Sequence, residues 1–148
     1  MSTTLNPKDL TVEAPRSPRA RLGGYIILAR ALDKGRAALV GKIGEYHFDS
    51  PLDNFLFSFK QVKGSDIKAL LEQGATDDEV VAWLNTNGAP KTAAEIEQFN
   101  RDTEGYRPYD NPEQRDWFAG EASKAGLDPA KVTLFDWLDV DDKQSFSN

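Results

Sequence analysis

The sequence predicts an all-α fold, a single compact irregular bundle of six to seven short helices. Three observations carry that expectation. Apolar residues recur at helical spacing in one segment after another. Ser or Thr followed three residues later by Asp or Glu marks successive helix starts. No stretch of five or more residues alternates apolar and polar positions with β-branched side chains, as a half-buried strand would.

Residues 1–21 read as an extended, basic N-terminal arm, because Pro7, Pro15 and Pro18 remove donors and restrict the residues before them. Residues 22–143 form the helical domain, and 144–148 are expected to fray. The first helix is predicted from about Gly24 to Val40. Ile27, Leu28, Ala31, Leu32, Ala38 and Leu39 share its core face, so Leu28, Leu32 and Leu39 should be nearly fully buried. The opposite stripe carries Arg30, Asp33 and Lys34, framed by Ile26 and Ala37. Gly41 and Gly44 break the chain before GEYHF. Ser50, Pro51 and Asp53 then start a second helix, aromatic nearly all round and running to about Gln61. Ser65 is expected to cap the third helix, which Gly74 stops. Thr76 with Glu79 and Thr92 with Glu95 cap the fourth and fifth. A turn at Tyr106–Asn111 precedes a sixth helix opening at Asn111–Pro112, and Thr133 caps a last one over LFDWLDVDD.

Composition narrows the function classes. There is no cysteine, so disulfides, thiolate metal sites and thiol nucleophiles are excluded. No apolar run approaches the roughly 20 residues that span a bilayer, and MSTTLNPKDL lacks the apolar centre of a signal peptide, which points to a cytoplasmic, bacterial-type protein and no membrane partner. Residues 1–50 hold eight Lys and Arg against five Asp and Glu, whereas the remainder holds ten against nineteen. An acidic body argues against nucleic acid as a partner. The third and fourth helices have helix-turn-helix proportions, but the second of them opens on Asp77, Asp78 and Glu79, which would repel phosphates.

At LGGYIILARALDKGRA, GEYH and SPLD the chain resembles a family of small bacterial cytosolic proteins, domain-of-unknown-function family 5069. The resemblance extends through DLTVEAPRSPRARLGG, TDDEVVAWL, KTAAEIEQFN and TLFDWLD, nearly the whole chain. The family pattern has a cysteine where Ser50 stands and a tryptophan where Phe99 stands. Thiol chemistry therefore cannot be the activity of this member. The family carries no established activity, so the resemblance implies a fold and a compartment rather than a mechanism.

Candidate site residues converge on the break after the first helix. If the loop folds back over the charged stripe, Glu45, Tyr46, His47 and Asp53 meet Arg30, Asp33 and Lys34 around one imidazole. Catalytic candidates are then His47, Tyr46, Glu45, Asp53 and Asp33. Ligand-binding candidates are Arg30 and Lys34, together with an anion-binding arm of Arg16, Arg19 and Arg21 beside the backbone N–H groups of Gly23 and Gly24. The plainer reading of that arm is a surface strap, with at least one of the three arginines on an acidic residue from 51–148. No second histidine supports a metal site, and Asp139, Asp141 and Asp142 lack the glycine turn and terminal glutamate of a calcium loop, so they read as a solvated helix end. Trp83, Trp117 and Trp137 read as core. There is no phosphate-cradling loop, nucleophile elbow or HExxH, and no cofactor is expected. The reading is a binding or regulatory module for a small anionic ligand or a protein partner. The alternative is a small enzyme using His47 as base with Arg30, Lys34 or Tyr46 as stabilisers, and a third reading is an interaction protein working through the acidic half.

Overall fold

A computed structural model describes residues 7–146. In it seven helices follow one another: α1 Leu28–Leu39, α2 Pro51–Phe59, α3 Gly64–Glu72, α4 Asp77–Asn87, α5 Ala93–Glu104, α6 Arg115–Lys124 and α7 Leu134–Ser145. A single 3-10 turn, Pro108–Asp110, separates α5 from α6. The fold is all-α; among the described residues the only β-type pairing is one bridge between Leu22 and Tyr25. No described helix is long and apolar enough to cross a membrane.

Local chemistry sets most of the helix starts. Ser50 Oγ accepts the Asp53 N–H, and Asp53 Oδ2 accepts the Ser50 N–H in return. Thr76 with Glu79, Thr92 with Glu95 and Thr133 with Asp136 repeat that exchange at α4, α5 and α7. Two starts differ from expectation. At α3, Asp66 accepts the Lys63 N–H at 3.1 Å, and Ser65 lies inside the first turn rather than capping it. At α1 the helix begins at Leu28, not Gly24. Gly23 and Gly24 take φ of 61° and 88°, left-handed values suited to glycine, in a turn closed by reciprocal bonds between Leu22 and Tyr25. The chain then passes through Ile27 at φ 72°, a conformation that costs a β-branched residue roughly 1–3 kcal/mol. Complete burial of its side chain and a bond from its N–H to Pro18 O hold it there.

Helix α1 is the centre of the molecule, and every residue from Leu28 to Ala37 is buried. Leu28 and Leu32 are fully enclosed, as expected, but Leu39 is 37% exposed because the last turn projects beyond the helices that cover the rest. The charged stripe opposite the core face is covered as well: Arg30, Asp33 and Lys34, and Arg36 beyond them, are all buried. The main core gathers α1 with Leu56, Phe57, Ile67, Val80, Leu84 and Phe135. A smaller second core forms around Phe118, Ala122 and Trp137, and Leu134 and Leu138 of α7 touch both.

Residues 7–21 lie against the body. Leu10 is buried, and its N–H donates to Lys42 O. That approach fixes Gly44, where a Cβ would come within 2.8 Å of Leu10 O. Two end assignments shift. Helix α6 starts at Arg115, because the Asn111 carbonyl accepts the Gln114 and Arg115 N–H groups in a preceding turn. Helix α7 runs on to Ser145, past Lys143, where fraying was expected to follow; residues 1–6 of the arm and Ser147–Asn148 of the tail lie outside the described residues.

Candidate functional site

Five candidates from the break after α1 do come together. Arg30, Lys34, Glu45, Tyr46 and His47 line one cavity of about 900 Å³. Asp53 lies behind its wall, fully buried. The cavity opens between α1, the 44–47 loop and the start of α2 on one side and the 106–117 segment and α7 on the other. It therefore occupies the space between the two cores, and Leu134 and Leu138 form part of its wall.

Two buried ion pairs make the polar side. Arg30 grips Asp142 with both terminal nitrogens, at 2.7 and 3.1 Å, and Tyr46 donates its hydroxyl to the same carboxylate at 2.8 Å. The Arg30 guanidinium also lies 5.4 Å from the centre of the Tyr46 ring. Burial and the Asp142 carboxylate push the Tyr46 hydroxyl well above the usual phenol range, so it stays a donor. Lys34 Nζ lies 2.9 Å from Asp53 Oδ1 and 3.3 Å from Ser50 Oγ. Asp53 Oδ1 has no well-aligned hydrogen bond, so the Lys34 contact is chiefly charge against charge. Burial draws the Lys34 ammonium below the usual amine range, and Asp53 partly offsets it.

The opposite walls are apolar and aromatic. Phe55 and Tyr106 meet edge to face at 5.8 Å, and Trp117 and Trp137 do so at 5.5 Å. Trp117 is 48% exposed and does not belong to the core as expected; it stands at the cavity wall, reachable from solvent. His47 and Glu45 are exposed at the rim.

The remaining candidates lie elsewhere. Asp33 turns away from His47 to the strap, where it accepts the Arg16 backbone N–H, Nε and Nη2. Arg16 also pairs with Asp77, which in turn holds Arg36. Arg19 pairs with Asp136 and Asp139, and Arg21 with Glu97 and Glu104. All three strap arginines thus reach carboxylates from the acidic part of the chain, as the strap reading expects. Gly23 and Gly24 form the turn ahead of α1, so their N–H groups do not stand at its N-terminus.

The acidic end of α7 overturns an expectation. Asp142 is buried under Arg30 and Tyr46, and Asp139 accepts from Ser17 and Arg19, because the strap and α1 carry the cations that draw them in. Only Asp141 of the three lines the cavity. The sequence held a signal for this wall: Leu134, Trp137, Leu138, Asp141 and Ser145 recur at helical spacing, a mostly apolar face carrying one carboxylate. Among the described residues no group of three or more His, Cys, Asp or Glu is placed to hold a metal ion.

Comparison with known proteins adds a family. The family model described as Domain of unknown function (DUF5069) matches residues 12–144. The match takes in every cavity-lining residue except Leu10, Thr11, Ser145 and Phe146. No curated protein matches the chain.

Proposed function

The chain belongs to the DUF5069 family, which brings no assigned activity, and from the cavity itself we propose that the protein is a binding module for a small amphipathic molecule. The observation that carries this reading is the cavity of about 900 Å³ between the two cores, aromatic on one side and polar on the other. Its size falls in the range of small-molecule sites, and such sites are mostly apolar with a few placed polar groups. The apolar body of a ligand would lie against Phe55, Trp117 and Trp137, with its polar end toward the 44–47 loop.

A catalytic reading has one observation in its favour, the buried Lys34 amine at the cavity wall. Lys34 is engaged by Asp53, however, and Arg30 and Tyr46 are both committed to Asp142. His47 has no carboxylate or carbonyl within hydrogen-bond reach among the described residues to orient it as a base. Binding is the function this geometry supports best.

The test uses Nile red, a neutral fluorescent probe, with the full chain. Saturable one-to-one binding is expected, with energy transfer from Trp117 and Trp137. Phe55→Asp, which places a charge on a partly exposed part of the apolar wall, should weaken binding about tenfold or more while the helical circular dichroism at the assay temperature is retained. No saturable binding, or equal affinity in Phe55→Asp, would overturn the proposal.

A further inference from the structure

The charges around the cavity are not balanced evenly. Four formally charged side chains line it: Arg30, Lys34, Glu45 and Asp141. The two cations are neutralised from behind the wall, Arg30 by Asp142 and Lys34 by Asp53. The two carboxylates have no hydrogen-bond or ion-pair partner among the described residues. Asp141 is half-buried, one helical turn beyond Trp137 on the same face of α7. Its surroundings add negative charge, from Asp142 next to it and Glu121 of α6, against the pull of Arg30.

The rings in this wall meet one another edge to face and carry no cation from the described residues. Arg30 already occupies the Tyr46 face, and Lys91 lies over Phe59 outside the cavity. No Lys or Arg of the chain lies over Phe55, Tyr106, Trp117 or Trp137 among the described residues. Aromatic faces beside an uncompensated carboxylate are the chemistry that recognises ammonium groups, through ring quadrupole and ion pairing together. An anion entering the same space would meet cations whose charge is already matched and two carboxylates whose charge is not.

We propose that the cavity selects a cationic ligand, a protonated or quaternary amine on an apolar body, with Asp141 as counter-ion, Glu45 at the rim and Trp117 and Trp137 as the ring wall. This rests on the cavity being a ligand site and adds the sign of the ligand's charge. The amine supplies the ion-pair partner that Asp141 lacks. The bound ion is partly desolvated between rings, where attraction to their faces is strongest.

The experiment compares three probes with one apolar body and different heads, 4-phenylbutylamine, 4-phenylbutan-1-ol and 4-phenylbutanoate, by calorimetry and tryptophan emission on the full chain at pH 7. The amine is expected to bind about tenfold or more tighter than the alcohol, and the acid weakest. Asp141→Asn should remove most of the amine's advantage over the alcohol while leaving the alcohol unchanged. Glu45→Gln, at an exposed position, should cut the amine preference by a smaller factor and guards against a folding defect in the first variant. If the acid binds as tightly as the amine, or if neither variant alters the amine's advantage, the cationic assignment is overturned while the binding-module reading stands. If none of the three binds and Nile red also fails, the binding-module reading falls with it.

Discussion

Asp142→Asn is the most informative single change in the polar wall. In the parent the Asp142 carboxylate accepts two bonds from Arg30, at 2.7 and 3.1 Å, and one from Tyr46 at 2.8 Å. The Arg30 side chain is only 3% exposed, so water cannot replace what the substitution removes. What remains for it is the neutral Asn amide oxygen and Arg16 O, at 3.3 Å, while the new amide NH2 presents a donor where an acceptor stood. Breaking a buried pair in this way leaves an uncompensated charge and costs roughly 3–5 kcal/mol. For a chain of this size each kcal/mol lowers Tm by roughly 2–4 °C, so the variant should melt roughly 6–20 °C below the parent. Urea denaturation followed by circular dichroism gives the free energy, and a thermal scan gives the Tm. The double variant Arg30→Met with Asp142→Leu removes both charges and should return to within roughly 1.5 kcal/mol of the parent. A single variant within about 1 kcal/mol of the parent would refute the reasoning, because Arg30 would then have another means of satisfying its charge.

Three further outcomes are expected. Leu32→Ala should cost roughly 2–5 kcal/mol in urea denaturation, because Leu32 is fully buried at the centre of α1. Gly35→Ala should lower stability by about 1–2 kcal/mol, the reverse of the usual helix-interior gain, because the added Cβ would stand 2.5 Å from Leu71 Cδ1 and 3.0 Å from the Phe48 ring; a raised denaturation midpoint would contradict this. Asp77 should contribute to acid sensitivity. Burial opposes its ionisation, but Arg36 and Arg16 override it and hold the carboxyl below the usual range. Its contribution is therefore complete above about pH 4 and is lost as pH falls through the lowered folded value. The stability gap between the parent and Asp77→Asn should close below pH 4, and a gap that stays constant down to pH 2 would show that the carboxylate does not do this.

The sequence made the fold legible wherever structure is local. The reciprocal caps at Ser50, Thr76, Thr92 and Thr133 place four helix starts from side chains three residues apart. It misplaced α1 because Gly23 and Gly24 serve a turn whose closure depends on Leu22 and Tyr25, and because Ile27 is held left-handed by tertiary contacts rather than by its own preference. The His47 imidazole stands at the exposed rim and is not the centre of the charged cluster. That Arg30, Lys34, Tyr46 and His47 border one space was legible, since a short connection must return beside the helix it leaves. The partner of Arg30 was not: Asp142 lies 112 positions away, and a run of aspartates at a helix end looks the same in sequence whether it is solvated or buried. Asp33's partner was hidden too: the strap's Arg16, 17 positions before it, meets it with three donors. The aromatic wall was hidden for a similar reason. Trp117 and Trp137 have the spacing of core residues, and only the separation of the two cores leaves space in front of them.

The two buried pairs are better understood as struts than as sources of stability. A central helix such as α1 could be apolar on every side, and packed hydrocarbon in place of Arg30, Lys34, Asp53 and Asp142 would be as stable or more so. Hydrocarbon would also close the space in front of it, because protein interiors pack to the density of organic crystals. The ion pairs have fixed reach and direction instead. Arg30 fastens α1 to the end of α7 and, through Tyr46, to the 44–47 loop. Lys34 fastens α1 to the start of α2 at Asp53 and Ser50. These are the elements that frame the cavity. The pairs thus hold the walls apart at a set distance while their own charges cancel, which leaves Asp141 and the rings to decide what enters. On this argument the Arg30→Met, Asp142→Leu variant recovers stability without recovering the cavity. Its Tm should approach the parent's while its affinity for Nile red falls, and a variant that binds the probe as the parent does would show that the walls stand without the Arg30 strut.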